Sequence, residues 1–128
     1  MWRTRTSWLL ILVIAVLASG CGSTHLESIQ VLPLDPNILF NNTVYLTPGA
    51  TVQYQIQGWY SNRKVQTIST SQGKWTSTNP SIATVDANGL ATSVGPLGVT
   101  TITADVNGHT STTVVSVCDF GLCPPPTP

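Results

Sequence analysis

From Thr51 to Tyr60 the side chains alternate: Val52, Tyr54 and Ile56 are apolar, and Gln53, Gln55 and Gln57 between them are polar. A period of two places the sets on opposite faces of an extended strand, one toward a core and one toward water. The pattern returns from Val99 to Val106, where Ile102, Ala104 and Val106 oppose Thr101, Thr103 and Asp105. Asn107-Gly108 follows, and both residues accept the positive φ of a two-residue hairpin. His109 to Val117 then reads as the returning strand.

The remaining strands are shorter. Ser28 to Pro33 reads as an edge strand, because Pro33 cannot donate within a central ladder. Asp35-Pro36-Asn37 turns the chain, Thr43 to Leu46 is a strand, and Pro48-Gly49 ends it. Ser61 to Lys64 is a polar turn before a partner strand, Val65 to Ile68. Lys74 to Ser77, Ser81 to Val85 and Leu90 to Val94 complete the set, with turns at Asn79-Pro80, Asp86 to Gly89 and Gly95 to Gly98. Asp86 is suited to accept hydrogen bonds from the amides of its own turn. No segment after the N-terminal run carries a 3.6-residue apolar period. The expected class is all-β, a sandwich of about seven or eight antiparallel strands.

The N-terminus is different in kind. Arg3 and Arg5 precede an unbroken apolar run, Trp8 to Leu17, followed by Ala18-Ser19-Gly20-Cys21. Ten apolar residues suit a signal peptide and fall short of the roughly 20 that span a bilayer. Ala18-Ser19-Gly20-Cys21 resembles the lipobox of bacterial lipoproteins, in which the cysteine is acylated and becomes the new N-terminus. The commonest residue three places before that cysteine is leucine; here it is Ala18, with Leu17 one place further back. Ordinary secretory cleavage and an uncleaved anchor are the alternatives. On the lipoprotein reading, residues 1–20 are the signal, Cys21 is the lipid attachment site and 21–27 the tether. Residues 28–118 are then the sandwich and 119–128 a Cys/Pro-rich tail. Gly22 follows the cysteine where enterobacterial inner-membrane lipoproteins carry aspartate, so the resemblance favours the outer membrane.

Removing 20 residues from 128 leaves 108, enough for one hydrophobic core. Arg3 and Arg5 fall in the signal, so the remainder keeps three basic side chains against five acidic ones, a net of about −2. That balance gives no electrostatic support to nucleic-acid binding. With Cys21 acylated, Cys118 and Cys123 are left, and two thiols exported to an oxidising compartment are expected to pair. A redox or metal-binding pair is the alternative; four intervening residues and no histidine nearby make a poor zinc site.

Trp75-Thr76-Ser77-Thr78-Asn79-Pro80-Ser81-Ile82-Ala83-Thr84-Val85, the turn ending at Gly89, Leu90-Ala91-Thr92, then Gly95, Gly98 and Thr101-Ile102-Thr103-Ala104 resemble the bacterial immunoglobulin-like group 2 family. The match is specific over 75–106 and looser back to Ser28. The resemblance implies an Ig-like β-sandwich. Such domains serve as spacers in intimin- and invasin-like adhesins, in surface-layer proteins and beside polysaccharide-degrading enzymes. It brings no catalytic residues, cofactor or metal.

Among individual residues, Trp75 matches the family tryptophan and is expected in the core. Trp59 falls on the glutamine face and Tyr60 on the core face. With Arg63 and Lys64 they form the candidate ligand site, since rigid amphipathic rings make good anchors. His25 and His109 stand alone, and Asp86 is better explained by its turn than by acid–base chemistry or a calcium loop. Asn41-Asn42-Thr43 is a glycosylation sequon in form only. The expected function is a non-enzymatic envelope lipoprotein, held to the membrane by its lipid, whose single domain mediates adhesion or protein–protein contact. The alternative is a carbohydrate- or cell-wall-binding module using Trp59 and Tyr60.

Overall fold

The computed structural model describes residues 22–119 and 122–123. The expected signal, the expected lipid attachment site Cys21 and the proline run 124–128 lie outside the described residues. The strands are β1 (Leu26–Pro33), β2 (Leu39–Phe40), β3 (Thr43–Leu46), β4 (Thr51–Tyr60), β5 (Val65–Ile68), β6 (Lys74–Ser77), β7 (Ala83–Val85), β8 (Leu90–Ser93), β9 (Gly98–Val106) and β10 (His109–Val117). They form two five-stranded sheets. One runs β1-β4-β8-β7 with β5 also on β4; the other runs β2-β3-β10-β9-β6.

The all-β sandwich is as expected, and β1 is an edge strand. Two details differ from the sequence reading. There are ten strands among the described residues, one of which, two-residue β2, is too short to show an alternation. The pairing is also not wholly antiparallel: β3 lies parallel to β10, with Val44 beside Val115 and Leu46 beside Val117. The cause is a crossover. The chain leaves β1 in one sheet, passes a 3-10 turn at Pro36–Ile38 and enters the other sheet as β2 and β3.

The alternation sets the core. Val31, Val44, Tyr54, Ile56, Ile102, Ala104 and Val115 are buried between the sheets, while Gln53, Gln55 and Gln57 are not. Local chemistry sets the turns. Asn107 (φ 53) and Gly108 (φ 86) both adopt positive φ and join β9 to β10. Asn41 (φ 47) and Asn42 (φ 61) do the same between β2 and β3.

Strand directions define two poles. At one, His25 precedes β1, the Ser61–Lys64 turn follows β4 and the Asn107-Gly108 turn closes β9–β10. At the other lie Pro48-Gly49, the β8–β9 connection and the end of β10. The chain therefore enters the sandwich at one pole and leaves it at the other.

Candidate functional site

Trp59 lies on the outward, glutamine face of β4 and is half-buried. Its cross-strand neighbours are Ser28 of β1 and Val65 of β5, the latter 50% exposed. Tyr60, expected on the core face, is half-buried beside Leu26, where a bulge shifts the β1 register. The turn beyond it is tightly made: Arg63 N–H donates to the Tyr60 carbonyl at 2.8 Å and Tyr60 N–H to the Lys64 carbonyl at 3.0 Å. Arg63 sits at φ 63, and both basic side chains are exposed. Trp59, Tyr60, Arg63 and Lys64 therefore share one corner of the first sheet. Val65 belongs with them but was not singled out from sequence; its pairing with Trp59 depends on hairpin register, which the turn composition does not specify.

Trp75 plays a structural part. Its ring stacks on Tyr54 with centroids 6.1 Å apart, and its Nε1–H donates to the Thr70 carbonyl at 2.9 Å. Gly89 (φ +74) lies directly against the indole. The phenol of Tyr54 is sealed in the core, and neither its oxygen nor that of Thr113 makes a hydrogen bond of good geometry. Burial pushes the Tyr54 pKa up to about 12, with the nearby Thr113 hydroxyl opposing the shift only in part.

Other polar groups are engaged in turns. The Asp86 carboxylate accepts from Asn88 N–H at 2.8 Å and Leu90 N–H at 2.9 Å. The buried Thr100 hydroxyl accepts from Asn79 N–H at 2.9 Å and lies 3.1 Å from the Ser77 hydroxyl and 3.2 Å from that of Thr78. That hub, absent from the sequence reading, ties the β6–β7 connection to β9. Cys118 and Cys123 are joined in a disulfide, with Cα atoms 5.3 Å apart, at the pole where β10 ends.

Among the described residues no three His, Cys, Asp or Glu side chains gather closely enough to hold a metal ion. A groove of about 450 Å³ opens beside the crossover, lined by Leu34, Asp35, Ile38, Tyr45 and Gln53. It lies away from the Trp59 corner, and its one carboxylate, Asp35, accepts from the backbone and side chain of Asn37.

Known proteins share this sequence pattern. Residues 33–117 match the family model described as bacterial Ig-like domain (group 2). The chain is 32% identical over 94 residues to Ice-binding protein 1 of Shewanella frigidimarina (strain NCIMB 400). That alignment covers 73% of this chain but only 9% of the relative, so the similarity spans a small part of that protein. A solved structure of an intimin mutant from EHEC O157:H7 aligns with a TM-score of 0.45 at 21% identity, covering 75% of this chain and 46% of that one.

Proposed function

Because the chain belongs to the bacterial Ig-like domain (group 2) family, we propose that it is a non-enzymatic lipoprotein of the cell envelope. Its sandwich makes contact with another protein. In this reading residues 1–20 are removed, Cys21 carries the lipid, 21–27 link it to the sandwich at 28–118, and 119–128 form a tail. The anchor lies in the outer membrane. Each methylene buried in lipid contributes roughly 0.8 kcal/mol, so two or three acyl chains hold the protein stably.

The observation that carries the contact role is the placement of exposed apolar side chains. Val94, Leu97 and Val99 are 56%, 50% and 59% exposed. They lie around the β8–β9 connection, at the pole opposite the N-terminal entry. With the N-terminus held to a leaflet, that pole points away from it, where a partner can cover the three side chains. Fully burying an aliphatic side chain of this size contributes about 1.5–3 kcal/mol.

Two measurements test the proposal. Cells grown with labelled palmitate should label the wild type and not Cys21→Ser; an unlabelled wild type removes the anchor. A photo-crosslinking residue at position 97 should give a discrete adduct in intact cells, and one at position 103, mid-sheet, should not. Equal labelling from both positions would argue against a contact at that pole.

A further inference from the structure

The basic side chains are not spread over the sandwich. Arg63, Lys64 and Lys74 are the basic residues of the chain after Arg5. All three are exposed. Arg63 and Lys64 form the turn after β4, and Lys74 opens β6 opposite Asp105, close to the β9–β10 turn. This is the pole at which the N-terminal segment enters. Glu27 and Asp105 share it, and the Asp105 carboxylate accepts from Gly108 N–H at 2.9 Å. At the opposite pole the charged groups are Asp35 and Asp119, both acidic. Three cations against Glu27 and Asp105 leave the N-terminal pole at +1 and the other pole at −2, with Asp86 on the β7–β8 turn between them, so the basic side chains lie only toward the N-terminus.

The N-terminal segment is also held to this pole. Ser61 N–H donates to the His25 carbonyl at 3.0 Å, and His25 N–H donates to the Ser61 hydroxyl at 3.2 Å. These bonds bind the residue before β1 to the turn that carries Arg63 and Lys64. From Cys21 to His25 is a span of at most about 14 Å, even fully extended. A membrane's surface potential decays over roughly 8–10 Å at physiological salt. An acylated Cys21 therefore keeps His25, and the turn bonded to it, within about two such lengths of the headgroup layer. The adjoining side chains suit that layer: Trp59 and Val65 are neighbours on the outward face, and Tyr60 follows. Amphipathic rings settle at the headgroup level, and Arg and Lys are attracted to anionic lipid.

We propose that the corner formed by Trp59, Tyr60, Arg63, Lys64 and Val65 rests on the anionic leaflet in which Cys21 is anchored. This rests on the lipoprotein reading above. The corner acts as a second, electrostatic and interfacial attachment that fixes the tilt of the sandwich. The Val94–Val99 pole is thereby directed outward rather than swinging on a free tether.

The test uses the full chain processed in cells and purified in detergent. It is reconstituted into vesicles of phosphatidylcholine alone or with phosphatidylglycerol, each carrying brominated acyl chains. After removal of residues 1–20, Trp59 and Trp75 are the tryptophans that remain. Emission should be quenched in the phosphatidylglycerol vesicles, and Trp59→Phe, which leaves Trp75, should abolish the quenching. Arg63→Glu with Lys64→Glu should cut it roughly in half or more, with palmitate labelling unchanged. Labelled protein with no bromine quenching overturns the leaflet contact and leaves the anchor standing. Unlabelled protein overturns both. Trp59 emission that responds to soluble cell-wall glycan but not to bromine would assign the corner to a polysaccharide and likewise overturn the leaflet contact.

Discussion

A Cβ atom added to Gly89 would stand 2.7 Å from Cζ2 of Trp75. The β7–β8 turn and the indole are therefore fitted to each other, and Gly89 also holds φ +74, which side chains disfavour. Gly89→Ala should destabilise the sandwich by about 2–4 kcal/mol, from the left-handed backbone and the crowded ring together. A urea midpoint shift reports it. A midpoint unchanged from wild type would show that the indole can move aside.

Tyr54 gives the fold a pH dependence on the alkaline side. Below pH 10 the phenol is neutral in both folded and unfolded chains. Its pKa is 10.0 when unfolded and about 12 when folded, so between those values only the unfolded chain gives up its proton. The unfolded state then binds fewer protons, and stability falls as pH rises. The expected loss approaches about 2–3 kcal/mol above pH 12. In Tyr54→Phe this component of the decline should vanish. Parallel curves for the two proteins between pH 9 and 12 would count against it.

Thr100 carries a load that its size conceals. Thr100→Val keeps the shape but leaves the Asn79 N–H without its acceptor, and removes one contact each from the Ser77 and Thr78 hydroxyls, which keep the Ala83 carbonyl and the Thr101 N–H. A loss of about 2 kcal/mol is expected, and Thr100→Ser should recover most of it. Equal losses in both variants would mean that the methyl group matters, not the hydroxyl.

The two tryptophans should behave differently. Trp75→Ala removes a ring packed on the core and should cost about 3–5 kcal/mol. Trp59→Ala, on the outward face, should cost less than about 1.5 kcal/mol. Thermal melts of the pair distinguish a core ring from one on the surface.

The Cys118–Cys123 disulfide closes a short loop, with a sequence separation of 5. Loop-closure entropy at that length gives about 2 kcal/mol at most. Reduction should lower the melting temperature by a few degrees without unfolding the sandwich at 25 °C. Global unfolding on reduction would mean that the clip holds β10 in place.

What was legible in the sequence was whatever a period of two or a local turn could encode. The faces of β4 and β9, the Asn107-Gly108 turn and the Asp86 cap all follow from neighbouring residues. The parallel β3–β10 pair does not: Val44 and Val115 lie far apart in sequence, and no local pattern couples them. The Asn41-Asn42 turn was readable in principle, since asparagine tolerates positive φ, but the two-residue β2 gave it no strand to turn from. Thr100 was hidden because an inward β-branched residue looks alike whether it packs or bonds. The Trp59 corner was visible as a run of residue types; its position beside the N-terminal entry depends on the His25–Ser61 bonds, which bridge 36 positions.

The most direct test of the central claim is the intact mass of the protein extracted from membranes, with tandem fragmentation of its N-terminal peptide. An N-terminus at Cys21, heavier than the bare peptide by a diacylglyceryl group with or without a further acyl chain, is expected. An unmodified cysteine, or a chain still beginning at Met1, would contradict it.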